Sequence, residues 1–240
     1  MFDRFHIRFW WIALAGAALL SCGGQVEDSP RAPVRGDASP ILATLASGSG
    51  TGSAQLRAGD FQTARATYEA LLAANPDQVG ALNDLAVSYY LAGRFDSARQ
   101  LFDEVVIRGS AHEQQAALLN LGELYAIDGY LTAAKAHFDS ARSIDPSRPA
   151  PIYAQALFSD LRGQPGIAVS LIREAIKADE AGAARAAFTF AYPEERQHLE
   201  ALVTDAQGDR ESAIQKWRDL RTSRFPALAQ AAQRHLDDIQ

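Results

Sequence analysis

Leu82, Leu85, Ala86, Tyr89, Gly93, Ala98 and Phe102 recur 36 positions later as Leu118, Leu121, Gly122, Tyr125, Gly129, Ala134 and Phe138. A unit of that length cannot bury its own apolar face and becomes stable by stacking on neighbours like itself. The order of residue sizes shows how it would stack. Small Ala or Gly lets the two helices of a pair approach closely, and a large Tyr or Phe fills the space one turn further on. Gly93 and Gly129 fall between the two helices, where a left-handed turn is needed. The recurrence therefore predicts an all-α stack of antiparallel helix pairs.

The same spacing extends in both directions. An earlier unit has a good second helix in Gly59, Ala64, Tyr68, Leu71 and Pro76, but its first helix falls in glycine-rich sequence. A fourth unit, with Ile152, Ala156, Gly163, Ala168, Ile172 and Ala175, is more degraded, carrying Gln155 and Ser159 at large apolar positions. A phase break follows, rich in Ala and then in Phe188, Phe190 and Tyr192. A last pair keeps Ala201, Gly208, Ala213, Trp217 and Leu220. A final helix over 226–239 presents Leu228, Ala232, His235, Leu236 and Ile239 on one face, as a capping helix with a polar outer side requires.

This pattern resembles the tetratricopeptide repeat, with its Leu-Gly-x₂-Tyr, Ala-x₃-Phe and Pro positions. The resemblance covers about residues 54–223 and implies a tetratricopeptide-type α-solenoid with a C-terminal capping helix. It further implies that the first helix of each pair lines a concave face, and that the chain binds proteins and performs no chemistry.

The N-terminal segment is read apart from the fold. Arg4, His6 and Arg8 precede an apolar run, Phe9 to Leu20, which is shorter than the roughly 20 residues needed to span a bilayer. The run ends in Leu19-Leu20-Ser21-Cys22, similar to a bacterial lipoprotein signal. That resemblance implies cleavage after residue 21, acylation of Cys22 and anchorage in the lipid bilayer by more than one chain. Gly23 in place of Asp points to the outer membrane, with the domain facing the periplasm. Cys22 is the only cysteine, so no internal disulfide can form. Residues 22–53 are rich in Gly, Ser, Pro, Asp and Ala and are expected to be a lipidated flexible tether with an r.m.s. reach of roughly 30 Å. A small apolar patch within it, Ile41, Leu42 and Leu45, is expected to dock as a short helix. The repeat domain is expected over 54–240.

A concave groove is the candidate binding surface. In the second unit Asn83, Val87, Tyr90 and Leu91 lie on a side of the first helix other than its Leu82–Leu85–Tyr89 face. A helix apolar on two sides has two buried faces or one binding face. Leu119, Asn120, Glu123 and Ile127 correspond in the third unit, and Tyr153, Leu157 and Asp160 in the fourth. Together they predict a groove with an apolar floor, amide hydrogen-bonding groups and acidic edges. Such a groove fits a helix or extended peptide of another envelope protein. The alternative is that these residues pack internally against the 188–192 aromatics, leaving a self-packing or oligomer-forming lipoprotein.

Other functions are disfavoured. A net charge of −6, changing to −7 without the leader, lacks the basic footprint of a nucleic-acid binder. No nucleophile motif or phosphate loop occurs, and no cofactor or catalytic residue is assigned. Glu194, Glu195 and His198 share a helix face, but a metal site would need ligands such as His235 and Asp238 from a last helix folded back. A solvated helix start explains that trio more simply. The basic cluster Lys216, Arg218, Arg221 and Arg224 is interrupted by Asp219 and reads as a solvated face. The combination of leader, tether and repeats resembles pilotin and pilus-assembly lipoproteins. Replacement of Cys22 by Ala should release the protein from the membrane fraction. Retention of the variant in that fraction would refute the anchor.

Overall fold

The computed structural model describes residues 42–47 and 50–239. Five antiparallel helix pairs follow one another: α1 (Thr51–Arg57) with α2 (Phe61–Ala74), α3 (Val79–Leu91) with α4 (Phe95–Arg108), α5 (Ala111–Ile127) with α6 (Leu131–Ile144), α7 (Pro149–Leu161) with α8 (Pro165–Ala178), and α10 (Pro193–Ala206) with α11 (Arg210–Leu220). A five-residue helix α9 (Ala183–Ala187) fills the phase break, and α12 (Pro226–Ile239) ends the stack. None of these helices is long and apolar enough to cross a membrane. The leader and Cys22 lie outside the described residues.

One contact is repeated in every pair. Gly52, Ala86, Gly122, Ala156 and Ala201 on the first helices are each followed, sixteen residues on, by Tyr68, Phe102, Phe138, Ile172 and Trp217 on the second. All ten are buried. A Cβ on Gly122 would lie 2.5 Å from Phe138 Cε1, and one on Gly52 would lie 2.5 Å from Tyr68 Cζ. The glycines are there because the aromatic ring occupies the space of a side chain.

The turn inside each pair is built alike. Gly59, Gly93, Gly129, Gly163 and Gly208 have φ of 77–84°, a region costly for residues with a Cβ. The residue after each turns its N–H back to the helix, as Arg94 N does to Tyr89 O (2.8 Å) and Tyr130 N to Tyr125 O (2.8 Å). This closes the orphan carbonyls of the first helix.

The first pair is more complete than its sequence indicated. Helix α1 begins at Thr51, three residues inside the expected tether, and buries Gly52, Ser53 and Leu56. The patch at 42–47 also differs from expectation. It docks as non-helical chain, with Leu42 and Ala43 buried, Ala43 forming an antiparallel bridge with Thr189, and bends at Ala46 and Ser47. The fourth pair fits less closely against the third, where polar Gln155 and Ser159 replace bulk. A crevice of about 520 Å³ remains there, with Leu131, Phe138, Phe158, Ile167 and Leu171 among its lining residues. Gln155 bridges it, accepting from Arg142 (2.9 Å) and donating to Asp139 (2.8 Å).

The cap is attached by a buried charged network. Asp160 of α7 accepts from His198 Nε2 of α10 (2.7 Å) and His235 Nε2 of α12 (2.8 Å), while His235 Nδ1 reaches Asp205 Oδ2 (3.2 Å). The His235 ring stacks on Trp217 at 4.1 Å between centroids. Burial opposes both charges, but the histidine hydrogen bonds win at Asp160 and hold it well below the carboxylate range. Bonds to Asp160 and Asp205 likewise overcome burial at His235 and raise it to about 9.

Two stability measurements test this packing. An exposed helical Gly→Ala change gains about 1 kcal/mol. Gly122→Ala should instead lose about 1–3 kcal/mol through collision with Phe138, and a rise in its urea midpoint would contradict the contact. Because His235 titrates higher in the folded chain than its ordinary 6.5, its contribution is complete below that pH and is lost as pH rises through about 9. Wild-type stability should thus fall by on the order of 2–3 kcal/mol across this window, a slope largely abolished in His235→Gln. Parallel slopes for the two proteins would show that the network does not titrate there.

Candidate functional site

Helices α3, α5 and α7 lie side by side and turn Asn83, Asn120 and Tyr153 toward one flank. None of the nine residues expected there to meet a partner is fully exposed. Asn83, Val87, Tyr90, Asn120, Glu123, Ile127, Tyr153 and Leu157 are buried, and Leu91 is half-buried. The cover is the chain itself, from residues 42–47 on one side and 188–195 on the other. The phase break explains this outcome, since its inserted residues supply Phe188, Thr189 and Phe190 where a regular unit would have passed directly to the next pair.

The amide groups are used as hydrogen-bonding groups, as anticipated, but toward this cover. Asn83 and Asn120 both donate Nδ2 to the carbonyl of Thr44 at 3.0 Å, and Asn120 Oδ1 accepts from Thr44 N at 2.8 Å. The two side chains also join each other, Asn120 Nδ2 to Asn83 Oδ1 at 3.2 Å. Asp84 completes the set, accepting from Ala46 N at 2.7 Å, Ser47 N at 3.3 Å and the Ser47 hydroxyl. Burial pushes the Asp84 carboxyl above its ordinary range, against the downward pull of these donors. Tyr68 OH, itself pushed up to about 12 mainly by burial, donates to Asp84 at 3.2 Å.

Sequence reasoning missed Asp84. Its signal was an Asn-Asp pair inside a helix otherwise made of Leu, Ala, Val, Tyr, one Gly and one Ser, since buried polar groups are kept where they have partners. At the other end of the flank, Tyr153 OH donates to Asp179 Oδ2 at 3.3 Å and its ring meets Phe188 edge-on at 5.9 Å. Asp179 also accepts from the Ala184 and Arg185 N–H groups and so starts α9. Tyr90 lies beside Glu123 and Glu195, and burial first, then these carboxyls, push its hydroxyl well up.

Of the residues weighed for metal binding only His198 and His235 are brought together, both on Asp160. Glu195 accepts from Ala191 N and Tyr192 N at 3.1 Å each and caps α10, whereas His198 points to Asp160. The last helix does fold back, but it delivers His235 to the same aspartate and leaves Asp238 exposed. Among the described residues no group of three or more His, Cys, Asp or Glu is placed to hold a metal ion. The basic cluster near α11 contributes Arg224, which pairs with Glu194 at 3.3 Å and lies over the Tyr192 ring.

The flank can therefore hold an extended main chain through side-chain amides and a carboxyl, with apolar walls beside it. Asn120→Ala would strand the Thr44 N–H and delete one of the two asparagine bonds to its carbonyl. The loss should be about 1–3 kcal/mol, the usual cost of leaving a buried polar group unpaired. Unchanged stability of that variant would show that the contacts carry no weight.

Residues 50–113, spanning α1 to the start of α5, match the tetratricopeptide repeat family model. No curated protein matches the chain. Among solved structures, the crystal structure of MamA is similar at 18% identity and a TM-score of 0.41, over 79% of this chain and 98% of that one. The architecture of the described residues is that of a tetratricopeptide-type all-α solenoid.

Proposed function

We propose that this protein is a lipid-anchored scaffold or assembly factor of the bacterial outer membrane. On this reading it faces the periplasm and binds an extended segment of another envelope protein along the flank of α3, α5 and α7. The observation that carries the proposal is the way Asn83, Asp84 and Asn120 hold an extended main chain. Side-chain amides that grip backbone atoms bind by shape and hydrogen bonding, independently of most side chains, which suits an adaptor. The leader ending at Cys22 supports the membrane anchor, and the tether before residue 42 supplies the spacing from it.

A second reading is favoured by one specific observation. Because the flank is filled by residues 42–47 and 188–195, the domain is self-contained and serves a structural or oligomer-forming role. Leu91 separates the two, since it is half-buried at the edge of the flank. A photo-reactive side chain placed there in cells should capture one envelope protein of a different sequence, with capture reduced in Asn83→Ala/Asn120→Ala. Cross-links confined to the chain itself would establish the structural role instead.

A further inference from the structure

The strap Leu42–Ser47 is bound in the manner of a ligand. Its hydrogen bonds with α3 and α5 run mostly from helix side chains to strap backbone: two amides on the Thr44 carbonyl, one amide oxygen on the Thr44 N–H, and Asp84 on the Ala46 and Ser47 N–H groups, with the Ser47 hydroxyl to Asp84 as the one strap side chain among them. Ala43 adds strand-like pairing with Thr189, its N–H donating at 2.7 Å and its carbonyl accepting at 3.0 Å. The Thr44 hydroxyl, though buried, has no partner, so that side chain is not what is recognised. Selection falls instead on the two residues before it, Leu42 and Ala43, which are 1% and 0% exposed.

We infer that Leu42–Ser47 is a ligand in cis that closes the flank, and that a partner enters by replacing it with an extended segment of the same kind. This inference rests on the scaffold reading above and adds the control of that site. The replacing segment needs a branched apolar residue, then one no larger than alanine, then a free main chain for the two asparagines. Exchange is favoured over simple opening because an empty flank would expose its apolar walls to water and leave Asn83, Asp84 and Asn120 only the bonds they make to one another and to Tyr68. The chain connects Ser47 to α1 through only residues 48–50. A link that short sets an effective strap concentration on the order of millimolar or above, so a free competitor is held off until the strap is drawn away. The sequence before the strap leads directly to the lipid-signal cysteine, which puts the strap between the proposed anchor and the domain.

The test uses the full chain and a fluorescein-labelled peptide of residues 41–47, Ile-Leu-Ala-Thr-Leu-Ala-Ser, followed by fluorescence anisotropy. Two variants expel the strap by different means. Ala43→Arg puts a long cation where there is no space, and Thr44→Pro deletes the N–H that Asn120 accepts. Either variant with native helical circular dichroism should bind the peptide at least tenfold more tightly than wild type. Adding Asn120→Ala should reverse the gain. Equal affinity for wild type and variants, or a gain that survives Asn120→Ala, would overturn the inference. Loss of native helicity in both variants would also overturn it, by showing the strap to be part of the core. Cross-linking at Leu91 is scored separately. Partner capture without peptide binding leaves the scaffold and removes the strap mechanism, whereas peptide binding without partner capture does the reverse.

Discussion

The structure depends on one contact, a small residue on the first helix of each pair meeting a bulky one sixteen positions later on the second. A helix pair joined by a short turn brings these positions face to face, and removal of a side chain from one helix lets the other approach by the radius of a methyl group or more. The dispersion attraction between atoms at that separation is small for each pair and large in sum. Repeated five times, the contact gives each pair the same geometry, and pairs of like geometry stack. The left-handed glycine between the helices is the second requirement, because only that turn reverses the chain in so few residues without strain.

Stacking alone would leave the flank of α3, α5 and α7 apolar and open to water. Three polar side chains on it, Asn83, Asp84 and Asn120, change what may cover it. A purely apolar cover would strand them, so the cover must carry backbone N–H and C=O groups in extended form. Residues 42–47 meet that condition, and the segment after α9 supplies their other edge. The far end of the stack is closed on a similar principle, with Asp160 drawing His198 and His235 together and thereby fixing the cap against α7 and α10. In both places buried polar groups fix which segment docks where, and apolar area supplies most of the stability.

The helix pairs, their turns and the capping helix were legible in the sequence because each depends on residues close along the chain. The position of Trp217 in the packing of the last pair followed from the same register. The strap was not legible. Ile41, Leu42 and Leu45 have the spacing of a short helical face, and nothing local reveals that the main chain there will bond to Asn120, 76 residues away. The asparagines were recognisable as hydrogen-bonding groups on the concave side, but their partner was not. Asp160 was likewise recognisable as an acid on the groove side of the fourth unit, but its partners, His198 and His235, come from two later helices.

By itself the sequence determined that this chain folds as stacked helix pairs, since the repeat of small, large and turn residues acts within each unit. Only the tertiary structure decided whether the concave flank is vacant. That outcome depends on which distant segment can satisfy three buried polar groups, and a periodic pattern carries no information about partners outside its period.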